Sequence, residues 1–150
     1  MMATHRTFTK SLFATAILAM GIAGCSAMMP SNTVALTGQL TSAQEVPPTA
    51  SAGTGMAEAT LNKDTNELTW KVTFTGLTGP ASAGHFHGPA AAGSNAGVVI
   101  PFSGTASPLE GKATLTPAQA ADLLAGKWYA NVHTAANKGG EIRGQMTPKM

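Results

Sequence analysis

The sequence predicts an all-β chain, an immunoglobulin-like antiparallel β-sandwich with one short inserted helix at about Pro117 to Ala125. Three observations predict it. ELTWKVTFT (67–75) alternates strictly, with Leu68, Trp70, Val72 and Phe74 on one side and Glu67, Thr69, Lys71, Thr73 and Thr75 on the other. Such period-2 alternation marks a half-buried antiparallel strand. Seven or so short apolar or alternating runs follow one another between turn residues, the spacing of a sandwich. Only one segment after the leader carries helix signals.

The elements follow in chain order. The first 24 residues read as a leader: Arg6 and Lys10 without an acid, then the apolar run SLFATAILAMGIAG, shorter than the roughly 20 residues of a membrane span. It ends in Ile22-Ala23-Gly24-Cys25, which resembles a bacterial lipobox and makes Cys25 the expected lipidated residue. Cys25 is the single cysteine of the chain, so no internal disulfide can form. Acyl chains contribute about 0.8 kcal/mol per buried methylene and would hold a soluble domain at a membrane surface. Residues 25–35 read as a polar tether, and one domain spans 36–147.

Within that domain VALTGQLT is expected to form the first strand, and Glu45-Val46-Pro47-Pro48 a loop, because prolines donate no ladder hydrogen bond. GMAEATL and ELTWKVTFT form a hairpin across NKDTN. Gly76 to Pro80 closes it, AGHFHG follows as a strand, residues 89–95 are loop, and GVVIPF reads as a buried strand. GKATLT leads into the helix, where Thr116 suits the N-cap, Pro117 the first turn and Gly126 the position past the end. WYANVHT and EIRGQMT complete the strands.

Removal of the leader leaves Lys63, Lys71, Lys112, Lys127, Lys138, Arg143 and Lys149 against Glu45, Glu58, Asp64, Glu67, Glu110, Asp122 and Glu141. The charges cancel and form no basic stripe, so nucleic acid is not an expected partner.

The candidate site lies in AGHFHG and WYANVHT. If both are extended, Phe86 and Val132 point into the core, and His85, His87 and His133 face outward on the opposite side. His5 lies in the leader, so these three are all the histidines that remain. Imidazoles on neighbouring strands can converge on one ion at metal–nitrogen distances of about 2.0 Å. Three neutral imidazoles without thiolate suit copper(II) or zinc(II) better than calcium or magnesium, with copper the first expectation and zinc the alternative. Glu141 and Arg143 share a strand face. Glu141 is a candidate acceptor for a histidine ring or half of a surface ion pair. Asn131 is either a supporting donor or an ordinary strand residue, and Tyr129 offers a hydroxyl on the same face.

LTGQLTSAQEVPP, AGHFHGPA and LLAGKWYANVHTAANKGGEIRGQM together resemble the CHRD domain, first named in chordin and common in bacterial exported proteins. The resemblance runs from about Leu36 to Thr147 and implies an immunoglobulin-type sandwich. It places His85, His87, Asn131, His133, Glu141, Arg143 and Gln145 at the family's motif positions. A more distant similarity is to copper/zinc superoxide dismutases, which also carry an outward H-x-H, a later V-H, a glycine-rich loop and an arginine. Those enzymes use a fourth copper histidine, a zinc subsite and usually a disulfide, for which this chain has no residues left.

The expected function is therefore a lipid-anchored cell-envelope protein, on the periplasmic side of an outer membrane or at the cell surface, that binds, buffers or delivers copper without catalysis. The alternative is a structural or protein-interaction module that uses no metal, as a homo-oligomer or with an envelope partner. A dismutase-like enzyme fits least.

Overall fold

A computed structural model describes Met2 and residues 32–150. The expected leader, Cys25 and the first part of the tether lie outside the described residues, Met2 apart. Among the described residues the fold is all-β, with nine antiparallel strands and one short α-helix.

The strands are β1 (Thr33–Thr41), β2 (Thr54–Asn62), β3 (Glu67–Thr75), β4 (Ala81–His87), β5 (Val98–Pro101), β6 (Leu109–Thr114), β7 (Tyr129–Thr134), β8 (Ile142–Gln145) and β9 (Thr147–Pro148). A single 3₁₀ turn, Ser42–Gln44, follows β1. β1 starts at Thr33, one residue ahead of the expected VALTGQLT strand, so the last residues of the stretch 25–35 belong to the sheet.

The strand order is β5-β4-β7-β8-β1-β2-β3-β6, with β9 also on β1. One sheet folds over on itself into the two layers of a sandwich. The fold-over lies where β8 leaves β7 and meets β1 at Thr41↔Arg143. β9 continues along the same flank of β1 in the same register, at Thr37↔Thr147 and Leu36↔Pro148. The approach is close: a side chain on Gly144 would meet the Gln39 carbonyl at 2.5 Å, which explains glycine there.

Alternation decides which side chains fill the interior. One layer sends in Leu36, Leu40, Leu61, Leu68, Trp70 and Val72, the other Phe86, Ala130, Val132 and Ile142. Phe86 is at the centre, edge-on to Trp70 at 5.6 Å and to Phe102 at 4.8 Å between ring centroids. Its complete burial orients β4 as the sequence predicts.

GVVIPF departs from the expected buried strand. β5 sits at the end of the sheet and pairs only with β4, Val98 is 53% exposed, and of this stretch only Phe102 is buried, while Val99 and Ile100 pack half-buried against the core. A run of apolar residues cannot by itself distinguish a central strand from an edge strand.

The helix, α1, spans Pro117–Leu124 and is closed by a capping box. The Gln119 backbone N–H donates to Thr116 Oγ1 and the Thr116 N–H to Gln119 Oε1. Leu123 is its buried anchor, and Gly126, at φ +72°, turns the chain back toward β7.

Candidate metal centre

β4 and β7 are adjacent antiparallel strands, with His85 opposite Asn131 and Ala83 opposite His133. His85 and His87 therefore share a face with His133 on the neighbouring strand. One ring nitrogen from each of the three lies within 4.8 Å of the others. The longest separation that two nitrogens can have on one ion is about 4.0 Å, twice the metal–nitrogen distance. Ligation of one ion by all three would require the rings to close that difference.

The site is recessed, not on the outer surface as the alternation suggested. His87 is 9% and His133 8% exposed, Tyr129 and Asn131 are more buried still, and only His85 remains partly open. The reason is the loop 88–97, a little longer than the 89–95 that the sequence identified as loop but could not place. It folds back over the outer face of β4 and β7 and makes that face a second, polar interior.

Backbone carbonyls orient two of the rings. His87 Nδ1 donates to the Ala96 carbonyl and His133 Nδ1 to the Lys138 carbonyl, each at 3.0 Å. A carbonyl only accepts, so each neutral ring keeps its proton on Nδ1 and presents a bare Nε2. His133 Nε2 accepts from His85 Nδ1 at 3.0 Å. His87 Nε2 is buried and has no hydrogen-bond partner.

All three rings are held below the ordinary imidazole pKa of 6.5. Burial is the main cause for each. The neighbouring rings add to it for His85, and His133 and the Arg143 guanidinium add to it for His87. The rings are therefore neutral at pH 7, the form that binds a metal.

Arg143 is 1% exposed and anchors the covering loop. It donates to Asn95 Oδ1 at 2.9 Å and to the Ser94 carbonyl at 2.5 Å. Its guanidinium carbon lies 3.4 Å from the centroid of the Tyr129 ring, and Tyr129 stacks on His87 with centroids 4.8 Å apart. The Tyr129 hydroxyl accepts from the Ala96 N–H, so ring and hydroxyl both hold the loop. Gln145 contributes from the next position, donating to the Ala90 and Gly126 carbonyls.

Glu141 is placed differently from either role considered for it. It is wholly buried and orients no histidine ring directly. Its carboxylate accepts from Ser51 Oγ, the Thr78 N–H and hydroxyl, Thr134 Oγ1 and Asn137 Nδ2 at 2.5–3.0 Å. Burial alone would raise its pKa, but these hydrogen bonds outweigh it and leave the group at about 2. It ties together three loops, including 134–141, whose Lys138 carbonyl orients His133.

Asn131 donates to Glu45 Oε1 and to the Ile142 carbonyl. Glu45 was not expected here, since in EVPP it looked like a turn residue. It is 5% exposed, and burial pushes its pKa up to about 7 against the opposing effects of Asn131, Arg143 and the Val46 N–H.

The family model of the CHRD domain matches residues 36–146. The chain belongs to the CHRD domain family. No curated protein and no solved structure matches it. The CHRD motif residues thus fall into three physical groups in this chain. His85, His87 and His133 form the three-nitrogen cluster, Arg143 and Gln145 fix the loop over it, and Asn131 and Glu141 tie the surrounding loops to the sheet.

Proposed function

We propose that this chain is a lipid-anchored cell-envelope protein whose CHRD domain binds copper through His85, His87 and His133, to buffer the ion or hand it on. The observation that carries the metal reading is His87 Nε2. A buried polar atom left unpaired costs about 1–3 kcal/mol, and this one belongs to a three-nitrogen cluster. A bound ion would remove that cost. Support for copper comes from the donor set of three neutral imidazoles, with zinc as the alternative. Support for the anchor comes from Ile22-Ala23-Gly24-Cys25 and the single cysteine. Among the described residues no helix is long and apolar enough to cross a membrane.

A second reading has one observation in its favour. The His85–His133 hydrogen bond satisfies two of the three rings without an ion, as a structural or protein-interaction module would require. A dismutase-like site lacks its fourth histidine among the described residues.

Isothermal titration of copper(II) and zinc(II) at neutral pH decides between the first two. Saturable binding at one ion per chain, lost on replacing the three histidines by alanine, supports the metal centre. Affinity unchanged by those substitutions sinks it. Metabolic labelling with a fatty acid tests the anchor: label retained in Cys25→Ala would refute it.

A further inference from the structure

Imidazoles hold copper in either oxidation state, so the charge of the surroundings decides between the two. Three neutral rings bring no charge of their own. An ion among them keeps its full charge in a recess where His87 and His133 are more than nine-tenths buried. The cost of taking an ion out of water rises with the square of its charge, which penalises a dication far more than a monocation.

No carboxylate is among the groups that bear on the charge of the three rings, and both nearby ones are directed at other partners. Glu141 accepts from Ser51, Thr78, Thr134 and Asn137, and Glu45 from Asn131. The charged side chain that does bear on the cluster is a cation. Arg143 lies over Tyr129, Tyr129 stacks on His87, and the guanidinium opposes positive charge on the His87 ring. The donor count points the same way: copper(I) accepts three nitrogens, whereas zinc(II) takes four ligands and copper(II) a tetragonal set.

We propose that the pocket selects copper(I) over copper(II) and zinc(II), through its neutral three-nitrogen donor set and the buried cation Arg143 stacked behind His87. The inference rests on the metal reading above. It gives the protein a defined cargo, the monovalent ion, and a bound copper that resists oxidation.

Competition titrations of the full chain against chromophoric chelators test it, with copper(I) under anaerobic reducing conditions and copper(II) and zinc(II) at the same pH. The expected result is copper(I) bound at least a hundredfold more tightly than copper(II). That ratio corresponds to a reduction potential raised by about 120 mV over the aqueous couple, at 59 mV per tenfold for one electron. Arg143→Met should narrow the ratio, and the wild-type ratio decides the matter even if that variant does not fold. Equal or tighter copper(II) binding that still depends on the three histidines overturns the selectivity alone. Absence of any histidine-dependent binding overturns the metal reading with it.

Discussion

A neutral imidazole binds a metal and an imidazolium does not, so the environment of His85, His87 and His133 sets the acid limit of binding. Burial holds all three below 6.5. Protons therefore compete only at lower pH, and the midpoint for metal loss in a pH titration should lie below that of free imidazole. A midpoint at or above 6.5 would contradict the burial described. The two buried carboxyls give opposite signs for stability. Glu141 is lowered from 4.5 to about 2, so its contribution is present above pH 4.5 and is lost as pH falls through 2. Glu45 is raised from 4.5 to about 7, so its contribution is full below pH 4.5 and is lost as pH rises through 7. Each shift is on the order of 3 kcal/mol. The stability difference between wild type and Glu45→Gln, from thermal melts across pH 4 to 8, should shift by roughly that amount in favour of the variant as pH rises. A pH-independent difference would mean that Glu45 titrates normally. At this scale the histidines were legible, because H-x-H on a strand whose central residue is Phe86 has only one plausible facing. Glu45 was not, since its burial depends on Asn131, which is far away in the chain.

Strands and the helix were legible because each is specified by local pattern: alternation in β2 and β3, and capping residues at both ends of α1. Loops were legible as loops but not in their placement. The stretch 88–97 shows only glycine, alanine and turn residues, and what folds it over the histidines is Arg143, Tyr129 and Gln145 from other elements. Glycine in GGEIRGQ has a similar long-range meaning. Gly140 adopts φ +132°, and a methyl group there would lie 2.5 Å from Asn131 Nδ2 and 2.6 Å from Glu45 Oε1. Gly140→Ala combines backbone strain with overpacking and should cost about 2–4 kcal/mol. Chemical denaturation checks this. A loss under 1 kcal/mol would show that the turn preceding β8 is more adaptable than it looks.

The whole molecule depends on its last strands. β8 joins the two layers at Thr41↔Arg143, and β9 covers the remaining flank of β1, where the Lys149 N–H also donates to the Ala35 carbonyl. Deletion of residues 147–150 removes those pairings and leaves β1 with a bare edge, which invites association between chains. The melting temperature should fall by about 5 °C, the equivalent of one or two net hydrogen bonds. Size-exclusion chromatography should show higher oligomers. An unchanged melt and a monomeric profile would place the closure entirely in β8. The sandwich class was legible from strand number and spacing, while the folding of one continuous sheet onto itself was not, because the register between β1 and β8 appears in no local pattern.

That closure also sets an order of events in the life of the chain. Arg143, which holds the loop over His87, belongs to the strand that joins the layers, and that strand follows all three histidines in sequence. A chain still emerging from a ribosome or a translocation pore has made its histidines but not the strand that encloses them. Enclosure of the histidine cluster thus waits for β8 to be made and paired, and the order of the strands along the chain sets the order in which the recess is built.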